Sequence, residues 1–218
     1  MPYLHLQPDI SFAIVDGRAV FLDLRGDRYL ALDGLAAEAF DELRRSGDGR
    51  TSDANAAPLL ASGLFAAGNQ PGSLRPAAAC VPKRSNRDET GPARVRDVLT
   101  AFALVVRARC ALRMMPIGRV LARHANRRTD HAEQPPSAIL TLASRFRRAR
   151  ALVPIKPTCL QDSLALHDWL VAHRAFPSLV LGVKLDPFAA HCWVQLGDTT
   201  LNDTPDRVGT YTPILVIE

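Results

Sequence analysis

The chain has 218 residues, of which 47% are apolar and 6% aromatic, and a formal net charge of +5. That length suits one large domain or two small ones. No apolar run approaches the roughly 20 residues that span a bilayer, and the amino-terminal MPYLHLQPDI lacks the basic start and apolar core of a secretory signal, so a cytoplasmic protein is expected.

SFAIVDGRAVFLDL places two apolar runs around Asp16-Gly17, a strong hairpin signal. Asp27 to Leu32 comes after Arg25-Gly26 and reads as a third strand. From Asp33 to Gly47, apolar residues at Leu35, Ala36, Ala39, Phe40 and Leu43 have helical spacing, with Asp33 as cap and Gly47 as stop. A shorter helix is expected between Asp53 and Gly63. Glycine, proline and polar residues then dominate from Gly68 to Gly91, as in a connector. The organisation expected is a module over residues 1–80, a linker over 81–92 and a second domain over 93–218.

Beyond the linker, Pro92 to Met115 and Ser137 to Leu152 read as amphipathic helices separated by the polar NRRTDHAEQPPS. A third helix opens at Thr158, with Gln161 at capping-box spacing, and runs to about His173. After Pro177 the period becomes that of strands: Leu179 to Leu185, His191 to Leu196, Thr200 to Asp203 and Thr212 to Glu218. Helices first and an antiparallel sheet last make this part α+β.

The four cysteines (Cys80, Cys110, Cys159, Cys192) form no C-x-x-C pair and no zinc-ligand spacing. Arginines cluster between Arg107 and Arg128 and in RFRRAR. Alone, that pattern points to nucleic acid; in helices that also carry leucine and alanine it marks a solvated face or a subunit contact.

Cys159 falls in the first turn of its helix, near the positive end of the dipole, where a thiol ionises most readily. His191 opens a strand and Asp203 lies on the next. Thiol, imidazole and carboxylate in that order supply nucleophile, base and orienting group. As isolated residues they equally describe a core cysteine, a strand-end histidine and a turn aspartate. A two-residue hairpin loop at Gly197-Asp198 would set Asp203 opposite Cys192 and away from His191. Triad geometry then needs an odd-length loop or a bulge near Gly197; with a regular two-residue turn, Asn202 is the better orienting partner.

The helix segment PTCLQDSLALHDWL and the strands after it carry a resemblance. Cys159-Leu160, Ser163 to Leu166, Gly182-Val183, Phe188-x-Ala190-His191-x-Trp193-Val194 and Leu201-Asn202-Asp203 occur in the order seen in the lasso-peptide B proteins. The chain's last third resembles those leader peptidases of papain/transglutaminase-like fold closely. The resemblance implies Cys159 as nucleophile, His191 as general base, Asp203 as orienting carboxylate, and no metal or other cofactor. The first 80 residues resemble the fused recognition element, a small PqqD-like winged helix-turn-helix module.

In that family the leader of a precursor peptide adds a strand beside the module's third strand and packs on its last helix. The positions implied here are Asp27, Arg28, Tyr29, Leu30, Ala31 and Leu32, with the helix near Ala57 to Ser62. Between Gly47 and Leu64 there is little room for the family's middle helix. The partners implied are the precursor and an ATP-dependent lasso cyclase, with no nucleic acid and no membrane. Two other functions fit the same residues: a non-catalytic leader-binding adaptor and an acyl transferase.

Overall fold

The computed structural model describes residues 2–72, 74–86, 91–125 and 134–218, and the chain divides into two compact units, 1–77 and 78–218. In the first unit β1 (Tyr3–Leu6) is succeeded by β2 (Ile10–Val15), β3 (Arg18–Asp23) and β4 (Arg28–Ala31), then α1 (Gly34–Ser46), α2 (Asp53–Ala61) and β5 (Phe65–Gly68).

The β2–β3 hairpin turns on Asp16 and Gly17, with φ of 49° and 79°, so both central residues take the left-handed conformation that a two-residue turn of this twist requires. At the next corner the Asp23 carboxylate accepts the N–H groups of Arg25 and Gly26 and pairs with Arg28 at 3.0 Å. These contacts close β3 onto β4. The sheet order β2-β3-β4 leaves β4 at an edge, while β1 pairs with β5 in a separate two-stranded sheet.

Phe40 of α1 anchors the core, its ring 5.3 Å from that of Phe12 and 5.1 Å from that of Phe21. Gly47 stops α1 at φ 79°. Between α1 and α2 no further helix forms, as the short spacing anticipates.

In the second unit the expected linker over 81–92 needs correction. It contains a strand, β6 (Arg84–Ser85), which pairs parallel with Thr199 and Thr200 far along the chain. Then come α3 (Val95–Met114), α4 (Ile117–Ala125), α5 (Pro136–Ala151) and α6 (Cys159–Ala172). The remaining strands are β7 (Ser178–Lys184), β8 (Ala189–Leu196) and β9 (Thr199–Thr200), and after the single turn α7 (Pro205–Val208) comes β10 (Thr212–Ile217).

The sheet order is β10-β7-β8-β9-β6, antiparallel except for the outermost β6–β9 pair. Polar composition hid β6 because its role is to finish an edge. Lys83 and Arg84 donate backbone N–H groups to the Asp198 carbonyl, and the Arg84 guanidinium pairs with the Asp198 carboxylate at 3.0 Å. Sequence periodicity also missed α4, where Pro116 and Gly118 mask an apolar face of Val120 and Leu121. Most of the polar spacer, residues 126–133, lies outside the described residues.

The central helix α6 is buried on nearly every side from Gln161 to Leu170, with Asp162 partly exposed. It runs between α3 and α5 on one flank and β8 on the other. Its buried residues include the polar Gln161, Ser163, His167 and Asp168 as well as apolar ones, and it carries Cys159 at its first residue. Among the described residues no helix is long and apolar enough to cross a membrane.

Candidate active site

Thr158 is the N-cap residue of α6, in extended conformation, but its hydroxyl makes no capping bond. The expected Thr158–Gln161 box therefore does not form. Asp162, one residue further on, reaches back so that its carboxylate accepts the Thr158 N–H. It can do so because Arg150 holds it from α5, Nε to Oδ1 at 2.8 Å. The same guanidinium donates to the carbonyls of Val153 and Ile155, which ties down the loop leading into Cys159. Gln161 is buried and is not part of the cleft wall.

The Cys159 side chain is hydrogen-bonded to His191 and also meets the backbone N–H groups of Cys192 and Leu160. His191 Nε2 lies 2.5 Å from Asp203 Oδ2, which leaves Nδ1 as the ring nitrogen open to the thiol. The second Asp203 oxygen accepts the Thr204 N–H at 2.8 Å. Cys159, His191 and Asp203 are thus brought together.

The hairpin before Asp203 is the regular two-residue turn, pairing Leu196 with Thr199 and Gln195 with Thr200. On the register argument that should have turned Asp203 away and favoured Asn202. It does not, because β9 ends at Thr200 and the backbone leaves the ladder before Asp203. Asn202 points elsewhere: its Oδ1 accepts from the Val194 N–H at 2.9 Å, and its Nδ2 donates to Ser163 Oγ at 2.8 Å.

The electrostatics arise from these contacts. The His191 hydrogen bond, against the opposing effect of burial, holds the Cys159 thiol below its ordinary pKa. Burial works to lower the His191 pKa, but hydrogen bonds and charge from Asp203 and Cys159 outweigh it and raise the value to about 9. Burial likewise works to raise Asp203, and is overcome by the His191 bond, the Thr204 N–H and the charges of His191 and Arg207. Cys192, on the opposite face of β8, is fully buried and its thiol is pushed up by desolvation.

Two rings flank His191, Tyr211 at 5.0 Å and Trp193 at 6.0 Å between centroids. Gly182, paired directly with His191 across β7 and β8, leaves room for them. A Cβ there would lie 2.8 Å from the Trp193 ring and 3.0 Å from Tyr211 Cβ.

The triad opens on a cleft of about 500 Å³ whose wall includes the apolar Phe146, Val153, Ile155 and Pro157 and the basic Arg147 and Arg207. Among the described residues there is no cluster of His, Cys, Asp and Glu able to hold a metal.

Of the positions implied for leader binding, Arg28, Tyr29, Leu30 and Ala31 form the edge strand β4. Asp27 sits in the preceding turn with φ of 50°, and Leu32 lies just past the strand. Sequence reasoning missed Arg150, Asp162 and Tyr211, since each acts across elements that only packing brings together.

Comparison with known proteins adds two positive findings. A family model described as "Transglutaminase-like superfamily" matches residues 99–216, more than half of the chain. The microcin J25-processing protein McjB of Escherichia coli is 39% identical over 51 residues, which is 23% of this chain and 24% of that protein. No solved structure matches.

Proposed function

Since this chain belongs to the transglutaminase-like superfamily, we propose that it is a cysteine peptidase that removes the leader from the precursor of a lasso peptide. The observation that carries the reading is the continuous contact from Cys159 through His191 to Asp203 at the mouth of an open cleft.

In this mechanism the Cys159 thiolate attacks the carbonyl of the last leader residue. Charge on the resulting oxyanion is met by the Cys159 backbone N–H at the start of α6. The His191 imidazolium gives its proton to the departing amine of the core, which leaves a thioester on the enzyme. Water then attacks the thioester while His191 takes its proton, and Cys159 leaves as thiolate. Asp203 keeps the imidazole in the orientation and tautomer both steps need.

The substrate class rests on the similarity to a microcin-processing protein. The first unit supplies recognition. Its strand β4 lies at the edge of the β2-β3-β4 sheet, where an extended leader can add as a further strand. The freed core would then pass to an ATP-dependent cyclase.

The test is incubation with precursor peptides encoded beside the protein, read by mass spectrometry. Two fragments whose masses together exceed the precursor by one water are expected, and Cys159→Ala should give none while still binding the leader. An amide-linked product, or cleavage by the alanine variant, would overturn the assignment.

A further inference from the structure

We propose that Asn202 is the positioning residue of the triad, a side chain that replaces one ladder bond of the sheet so that the backbone can peel away and deliver Asp203 to His191. This rests on the proposed function, in which Cys159, His191 and Asp203 are the catalytic groups.

In an antiparallel ladder, alternate residue pairs exchange two backbone hydrogen bonds. Leu196 with Thr199 starts the β8–β9 hairpin, so Val194 with Leu201 is the next pair due to exchange two. One of these forms, from the Leu201 N–H to the Val194 carbonyl at 2.8 Å. The other would run from the Val194 N–H to the Leu201 carbonyl; here the Val194 N–H goes to Asn202 Oδ1 at 2.9 Å. The strand can therefore end without leaving a donor unmet inside the sheet. The chain then turns, pinned by a bond from Thr200 Oγ1 to the Asp203 carbonyl at 2.6 Å, and the Asp203 carboxylate arrives at His191.

The other end of the amide connects to the nucleophile's helix. Asn202 Nδ2 donates to Ser163 Oγ, which donates to the Cys192 carbonyl at 2.9 Å. Ser163 is fully buried, one helical turn after Cys159 on α6. Cys192 and Val194 lie on β8 beside His191. One connected set of bonds thus joins the nucleophile's helix, the base's strand and the carboxylate's loop. Aspartate in place of Asn202 could not supply the donor to Ser163, and alanine would supply neither bond.

The experiment is the pH dependence of iodoacetamide alkylation at Cys159 in the full chain, read by peptide mass spectrometry. The proteins compared are the wild type, Asn202→Ala, Asp203→Ala and the double variant, with folding checked by circular dichroism. Asp203 apart, the charged and titratable groups around the thiol (His191, Arg150, Asp162, Arg207, Cys192) are the same in all four.

Asn202→Ala should raise the midpoint by about one pH unit, a tenfold loss of thiolate at a given pH, toward that of Asp203→Ala. In the Asp203→Ala background it should add nothing, because its effect passes through Asp203. An unchanged midpoint in a folded Asn202→Ala, or a shift that adds to that of Asp203→Ala, would overturn the proposal. If Asn202→Ala does not fold, Ser163→Ala removes the anchor of the amide, should shift the midpoint in the same direction and is judged by the same criteria. Failure of both to fold would make the network a pillar of the fold and also overturn the positioning role. A wild-type Cys159 that titrates as an ordinary thiol would instead refute the nucleophile assignment and leave the Asn202 geometry standing.

Discussion

At the residue scale the site contains three ionisable groups that set one another's charge. Cys159 is lowered, first by its hydrogen bond to His191, and His191 is raised, against burial, to about 9 by its bonds to Asp203 and Cys159, so each charge favours the other. Iodoacetamide should therefore modify Cys159 fastest, although Cys80 and Cys110 are also exposed, and the buried Cys192 should react last. Peptide mapping after brief exposure at pH 7 measures the order. Stability should depend on pH through the same groups. Because the folded-state pKa of His191 lies above its ordinary 6.5, its contribution is complete below about that pH and disappears as pH rises through about 9. Asp203 is lowered, so its contribution is present above the ordinary carboxylate range and is lost as pH falls through it. Asp203→Asn should accordingly lower Tm most near pH 6, and the gap to wild type should close above about pH 9.5. A gap independent of pH would mean that the pair contributes no linked proton binding.

At the element scale two packing arrangements hold the triad. The first is the start of α6, where the Asp162 carboxylate accepts the Thr158 N–H and Arg150 ties Asp162 to the preceding loop. Asp162→Ala would strip a largely buried guanidinium of its carboxylate, and losing one partner of such a pair costs about 3–5 kcal/mol. Urea denaturation should register that loss; a change below about 1 kcal/mol, the size of a surface pair, would show that the pair is solvent-screened. The second arrangement is the close approach of β7 and β8 at Gly182. Gly182→Ala would force the buried Trp193 ring and the Tyr211 side chain to shift. Overpacking of that kind costs roughly 1–3 kcal/mol. Since the same rings flank His191, the proposed peptidase activity should fall by more than the folded fraction does.

At the scale of the whole molecule, the extent of the second unit matters for any attempt to separate recognition from chemistry. A fragment begun at residue 93, where composition suggests a boundary, would remove β6 from β9 and the bond from Gln195 Nε2 to the Cys80 carbonyl. It would also remove Asn86, which bridges to Leu140 and Ser144 of α5. A fragment over residues 78–218 keeps all of these. It should unfold at a distinctly higher temperature than 93–218, and equal Tm values would show that β6 is dispensable. With the first unit absent, 78–218 should retain its turnover at saturating precursor but need far more precursor to reach it. In the proposed function the first unit tethers the precursor; a short tether provides an effective concentration of roughly millimolar, which separation would remove. Calorimetric titration of leader peptide into 1–77 and 78–218 should locate binding in the first.

Local chemistry was enough to read several features from the sequence. The Asp16-Gly17 hairpin, the helix from Gly34 to Ser46 stopped by Gly47 and the placement of Cys159 at a helix start each depend on residues within a few positions of one another. The motifs carrying Cys159, His191 and Asp203 were legible only through their resemblance to a family pattern, since as isolated residues they equally describe core and turn positions. Tertiary structure decided what depended on distant partners. β6 is a strand only because β9 lies beside it. Asp162 reaches back to the Thr158 N–H with Arg150 holding it from α5. Asp203 reaches His191 only because Asn202, anchored on Ser163 thirty-nine residues earlier, takes over a backbone bond of β8. Propensity and period describe what a segment prefers; where a strand stops and which way its last side chain points are set by the hydrogen bonds that other elements complete.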